Sequence, residues 1–273
     1  MLKRFALGGS AVDATGCYPL FACENWDGLD ADLNALAPEI VSVVLVTDPF
    51  GDYDERLLQR SFHRVALFKE HVVVDLRRFS EDTLTRHHRD RSRAALRRVT
   101  VDECADPSTM LDVWCALYRT LIERHGLHGL MAFSRDSFAQ QLAVPGLRAF
   151  RAHADGEIVG MQLWFMHGDA AYSHLTAIAP AGYRTGAAYA LQRVAIDSLA
   201  GDVRWLCLGA GAGVDSRPTG LTYFKAGWSN ERKAAWLCGR ICQPDQYKAL
   251  AAATGRSESS YFPSYRGSDL HER

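Results

Sequence analysis

The chain lacks the features that mark a membrane-spanning protein, a secreted disulfide scaffold or a polyanion-binding basic protein. No run of about eighteen apolar residues occurs among its 273 residues, so no membrane span is expected. The opening MLKRFALGGSAVDATG starts basic, but its apolar patch is too short for the hydrophobic stretch of a secretory signal. Charge of one sign is not in excess: 31 Lys and Arg face 32 Asp and Glu, a net charge of −1. Nothing global therefore attracts nucleic acid, and DNA is not an expected partner; an RNA contact would need a local patch. Cysteines are few and odd in number, seven, and most lie in apolar stretches, where they read as buried free thiols of a reducing compartment rather than a disulfide framework. The expected location is cytoplasmic. A metal triad is also missing. His125 and His128 straddle a helix stop with no third ligand at a matching spacing, and the adjacent His87 and His88 point in different directions on a helix.

What is present, 48% hydrophobic and 23% charged residues, describes one large or two small globular domains. The most legible stretch runs from Leu147 to Ile241. LRAFRAHADGEIVGMQLWFMHGD predicts a hairpin turning at Asp155-Gly156, and AAYSHLTAI (residues 170–178) predicts the next strand. Ala187, Ala190, Leu191, Val194, Ala195 and Leu199 mark the buried face of a helix from about Tyr183 to Ala200, and a strand at Val203–Leu208 follows. Upstream, a three-and-four stripe predicts a helix over residues 108–125, stopped by Gly126. Ser80 suits the cap of a helix running to about Arg98. The first hundred residues are harder to read. Cys17–Cys23, Ile40–Thr47 and Val72–Leu76 look like strands, and residues 48–58 like either a loop near the site or a solvated connecting bend.

The order of two helices, hairpin, strand, helix, strand, short helix and strand over residues 106–241 resembles the core of the GNAT superfamily of acyl-group transferases. AYSHLTA, the glycine-rich LGAGAG (residues 208–213) and LTYFKAGW (residues 221–228) resemble landmarks of its Fem-type, aminoacyltransferase branch. The resemblance implies an α/β (α+β) fold with a GNAT-like mixed central sheet flanked by helices. It also implies a shortened or degenerate GNAT-like N-terminal half over residues 1–105, followed by the acyltransferase domain with a C-terminal tail over 106–273.

LGAGAG is not a dinucleotide fingerprint, since Val214 to Pro218 break the chain where a helix would have to open. In a GNAT-like fold these glycines lie where two central strands splay apart, and Gly209 and Gly211 leave backbone open to the donor. The superfamily's coenzyme A loop, Arg/Gln-x-x-Gly-x-Gly/Ala at the start of the long helix, corresponds to Gly182-Tyr183-Arg184-Thr185-Gly186-Ala187-Ala188. Arg184 stands one residue too close to Gly186, which degrades a pyrophosphate site built on helix amides. Arg184, Thr185, Gly186 and Phe224 complete the expected donor-binding set. Lys225 matches the Fem-type motif lysine, whose cation would offset charge on the tRNA end or the developing oxyanion; its alternative is an exposed helix residue. His174, facing the same side as Tyr172 and Thr176 by strand alternation, is the candidate base; its alternative is a satisfied core histidine. Arg86, Arg89, Arg93 and Arg97 form a stripe opposed only by Asp90. Such a stripe is either a solvated face or a ridge for tRNA or nucleotide phosphates, and with little aromatic interleaving it supports backbone contact alone. The aromatic segment from Tyr261 to Arg266 reads as a tail packed across the domain, with Tyr265 and Arg266 as possible ligand contacts.

The function expected is N-acyl transfer from an activated donor to a small-molecule or peptide amine. No resident cofactor is expected; the co-substrate is aminoacyl-tRNA, bringing a tRNA acceptor arm, or acyl-CoA. The alternatives are an acyl-CoA-dependent N-acetyltransferase and a catalytically inactive binding module. The oligomeric state is not legible.

Overall fold

The computed structural model describes residues 2–7, 11–17, 19–211, 220–256 and 261–266. In chain order they form β1 (Lys3–Ala6), β2 (Val12–Thr15), α1 (Leu29–Leu36), β3 (Ser42–Val46), α2 (Glu55–Ser61), β4 (Arg64–Asp75), α3 (Arg86–Leu96), β5 (Thr100–Glu103), α4 (Leu111–His125) and α5 (Arg135–Leu142). There follow β6 (Arg148–Ala154), β7 (Glu157–His167), β8 (Ala170–Ile178), α6 (Pro180–Thr185), α7 (Ala187–Leu199), β9 (Trp205–Gly209), α8 (Gly220–Ala226), β10 (Glu231–Ile241) and α9 (Pro244–Ala253). The chain divides into two compact units, Met1–Glu70 with Lys233–Arg273, and His71–Arg232. The boundary expected near residue 105 falls inside the second.

The first unit orders its strands β1, β2, β3, β10, with β2 and β3 parallel and the other neighbours antiparallel. The apolar run VSVVLV becomes β3, whose Val43 and Leu45 are buried with Trp26, Leu33 and Leu58. The described residues of 17–23 do not form the expected strand. Only Phe21 bridges to Thr47, because Pro19 cannot donate to a ladder, and Val12–Thr15 pairs with β3 instead. The expected loop at 48–58 contains the start of α2. Asp54 caps it by accepting from the Leu57 amide at 2.8 Å, and Leu57 and Leu58 are buried. Tyr265 and Arg266 are engaged within this unit: Tyr265 Oη meets Ser42 Oγ at 2.7 Å, and Arg266 donates to both oxygens of buried Asp13 at 2.6 Å.

The second unit orders its strands β4, β9, β8, β7, β6, β5, antiparallel except for the β8–β9 pair. Asp155 (φ 50°) and Gly156 (φ 81°) turn the β6–β7 hairpin as the sequence predicts. From residue 161 onward β7 alternates between two cores. Trp164 packs with Leu191 and Ile196 of α7, whereas Met161 and Leu163 pack with Trp114 and Tyr118 of α4 and Phe138 of α5. The predicted helix over 183–200 is divided at Gly186, a left-handed residue (φ 79°, ψ 28°), into α6 and α7. The helix expected from Ser80 is divided too. Ser80 and Thr83 close a capping box around one 3-10 turn, Leu84 runs extended into the core, and Thr85 caps α3 afresh.

Candidate active site

Strands β8 and β9 are paired over three residues only, Ala170–Trp205, Ala171–Leu206 and Tyr172–Cys207. β8 runs on to Ile178 and β9 to Gly209, so past Tyr172 they part, and the β8 edge facing β9 has no ladder partner among the described residues. Ser173 to Thr176 on one side and Gly209 to Gly211 on the other keep surface open to solvent. An extended ligand bearing amide groups can pair with such an edge.

Helix α8 packs against the glycine side. Lys225 Nζ donates to the Ala210 carbonyl at 2.9 Å. Gly209 has φ 77°, and a Cβ there would come to 3.3 Å from Nζ, so both conformation and space call for glycine. Lys225 is thus half-buried, with its ammonium docked on the main chain of the glycine segment. The rest of the glycine-rich loop, Ala212 to Thr219, with Gly213 and the break from Val214 to Pro218, lies outside the described residues. The Phe224 ring packs edge-on to Tyr189, with centroids 5.0 Å apart.

What seats α8 is His88, which sequence reasoning set aside. It is fully buried; its Nε2 donates to the Phe224 carbonyl (2.9 Å) and its Nδ1 takes the Thr85 hydroxyl (2.7 Å). Burial holds this imidazole below its ordinary pKa and keeps it neutral. Its ring lies flat on Gly227, where a Cβ would overlap the imidazole, and edge-on to buried Trp228 at 5.4 Å. The only sequence signal was the motif's own Ala226-Gly227-Trp228, whose glycine needs a close neighbour to explain it. Gly227→Ala should cost about 3 kcal/mol, the upper range for overpacking a fitted core. Urea unfolding checks this, and a loss under about 1 kcal/mol would mean that His88 swings aside at little cost.

His174 occupies a β-bulge. Leu163 pairs with Leu175 and Trp164 with Ser173, leaving His174 as the extra residue of β8. The bulge breaks the alternation assumed from the sequence. Tyr172 lies opposite Phe165, on the α4–α5 face, while Thr176 lies opposite Gln162, which bonds Gln192 of α7. His174 itself turns to the α4–α5 face, with its ring 4.8 Å from that of Phe165 and Nε2 2.8 Å from Gln141 Oε1. Burial lowers its pKa to about 4, so the ring is neutral at pH 7.

The segment matching the coenzyme A loop is helical. The Tyr183 amide donates to the Ala179 carbonyl (3.1 Å), the Gly186 amide to Gly182, and Thr185 Oγ1 to the Ala181 and Gly182 carbonyls (3.1 and 3.2 Å). Arg184 is exposed on the outside of this turn. α7 begins at Ala187 with no side-chain cap and no acid in its first turn.

The arginine stripe faces more than Asp90. Arg89 lies 3.6 Å from Asp82 and also donates to the Glu81 carbonyl, Arg93 pairs with Glu81 at 3.1 Å, and Arg193 of α7 pairs with Glu81 too. Arg86 lies 3.7 Å from Asp90. Arg97 follows the last helical residue of α3 and is exposed, with no ion-pair partner among the described residues. The break at Leu84 is the cause, because it folds Glu81 and Asp82 back beside α3. Among the described residues no cluster of three or more His, Cys, Asp or Glu is placed to hold a metal ion, and no helix is long and apolar enough to cross a membrane.

Comparison with known proteins places this geometry. The profile of the family described as "Acetyltransferase (GNAT) domain" matches residues 83–224, just over half of the chain. Among solved structures the chain is similar to FemX, at 13% identity and TM-score 0.68, covering 91% of this chain and 85% of that one. It is also similar to the C-terminal domain of a putative lysylphosphatidylglycerol synthetase from Agrobacterium fabrum (15% identity, 92% and 84% covered, TM-score 0.61) and to L-PGS from Bacillus licheniformis (15%, 88% and 80%, 0.60). No curated protein sequence matches. At these identities the structural likeness is one of fold, and it extends over both units of the chain. The family profile runs from just before α3 through the parted strands to the Phe224 of α8, and on that ground the protein belongs to the GNAT acetyltransferase-domain family and is an acyltransferase.

Proposed function

We propose that the protein moves an aminoacyl group from an aminoacyl-tRNA ester to the amine of a small molecule or peptide. The observation that carries this choice of donor is α6. Where acyl-CoA enzymes of this fold present an open loop of amides to a pyrophosphate, this chain spends the Tyr183 and Gly186 amides on its own helical turn and carries Arg184 out of position. The acyl carbonyl then lies in the wedge between β8 and β9, near Lys225. The acceptor nitrogen attacks the carbonyl carbon, the new C–N bond forms, and the ester C–O bond to the ribose breaks. His174 takes the amine proton and returns it to the departing oxygen. Lys225 stabilises negative charge at the carbonyl oxygen or the tRNA end. Arg97 is the member of the stripe best placed for backbone phosphate, since Arg89 and Arg93 are held by Glu81 and Asp82 and Arg86 lies beside Asp90.

A second reading, acyl-CoA as donor, is favoured by the uncapped amides of Ala187 and Ala188 at the start of α7, which suit an anion. An inactive module is disfavoured by the open wedge. Incubation with charged tRNA or labelled acetyl-CoA, each with a panel of amines, separates the readings. Label should move from charged tRNA and not from acetyl-CoA, and the reverse would reassign the donor.

A further inference from the structure

The histidine at the bulge does not stand alone. Its Nε2 meets Gln141 Oε1 at 2.8 Å, and Gln141 Nε2 donates in turn to Ser137 Oγ at 3.1 Å, one turn earlier on α5. Ser134 caps that helix through the Ser137 amide at 3.1 Å, so the amide plane of Gln141 is referenced to a fixed helix start. A carboxamide oxygen only accepts, so the ring nitrogen facing it carries the proton. The other nitrogen, Nδ1, has no hydrogen-bond partner among the described residues, and the residue keeps part of its surface open to solvent. In a neutral imidazole, the partner of one nitrogen fixes which nitrogen holds the lone pair.

We infer that Gln141 is a positioning residue: it holds His174 in the tautomer protonated at Nε2, so that Nδ1 is the nitrogen that takes the proton of the attacking amine. The inference rests on His174 as the base of the transfer just described. Geometry assigns the role, and the bulge explains why a helix residue can take it. By adding one residue to β8 opposite Leu163 and Trp164, the bulge frees the imidazole from the ladder and turns it onto the α4–α5 face, where only a side chain from α5 meets its far nitrogen.

The test uses nitrogen-15 NMR of the imidazole alongside steady-state kinetics. The free protein at pH 7 should show His174 as the Nε2–H tautomer, and Gln141→Leu should mix the tautomers and lower kcat at least about tenfold with little change in KM. Gln141→Glu places a carboxylate on Nε2–H and should raise the His174 pKa by roughly one to three pH units, moving the acid limb of kcat/KM upward with it. A wild-type Nδ1–H tautomer, or Gln141→Leu with tautomer and kcat unchanged, overturns the inference. The tautomer is read without turnover, so the two levels separate. If NMR reports the Nε2–H form and its predicted shift in Gln141→Glu while the acid limb stays still, Gln141 positions the ring and His174 is not the base.

Discussion

Lys225→Ala is expected to lower turnover by about two to three powers of ten, the scale seen when a preorganised oxyanion donor is removed. The ammonium is fixed 2.9 Å from the Ala210 carbonyl, at the end of β9 where the wedge opens, so its charge needs no rearrangement when negative charge develops nearby. The same hydrogen bond clamps the glycine segment, and the alanine variant removes charge and clamp together. Lys225→Arg separates them, because a guanidinium keeps the charge but is a planar fork in place of a compact point. An intermediate loss in the arginine variant, with thermal stability within about 1 kcal/mol of wild type in both, is the expected pattern. Single-turnover rates with whichever donor proves productive provide the measurement. Wild-type rates in the alanine variant would remove Lys225 from the chemistry and return it to a purely structural clamp.

His174→Gln should cost about a hundredfold in turnover, the usual yield of a positioned general base, because glutamine keeps size and hydrogen bonding but cannot titrate. The pH dependence sharpens this. Burial lowers the His174 pKa from its ordinary 6.5 to about 4, so the wild-type activity should hold down to that region and fall only below it. The variant should lack that limb. Stability follows with a definite sign. Between pH 6.5 and 4 the unfolded chain binds a proton that the folded chain refuses, so stability declines as pH falls through this window and levels off below it. In His174→Gln this contribution to the decline disappears. Urea midpoints at about pH 7 and about pH 5 measure it, and an equal decline in both proteins would show that His174 is not held neutral by the fold. A turnover within about threefold of wild type would make the residue structural.

Much of the second unit was legible because its signals are local. The Asp155-Gly156 turn, the strand 170–178 and the apolar stripes of α4 and α7 are written in consecutive residues, and each formed where the sequence places it. The failures have the opposite character. Nothing in RHHRDR shows that Leu84 will be drawn into the core and fold Glu81 and Asp82 against the arginines, since that depends on packing against distant residues. Strand periodicity placed His174 with Tyr172 and Thr176, and it has no term for an inserted residue, so the bulge was invisible. His88 was the costliest omission. Its partner Phe224 lies 136 residues away, and only Gly227 hinted that something had to lie flat against that turn.

The division of the chain has a consequence for its synthesis. β3, with Val43 and Leu45 buried in the finished unit, pairs on one side with β10, whose partner residues 237–241 are translated some 190 positions later. At roughly 5–20 residues per second, the ribosome takes about ten to forty seconds to cover that distance. During that interval the continuous segment His71–Arg232 is synthesised, while the first seventy residues wait with an apolar strand edge unfilled. A nascent chain stalled before residue 233 should therefore recruit holdase chaperones at its N-terminal segment, a burden that a circular permutant beginning at His71, with residue 273 linked to residue 1, would relieve.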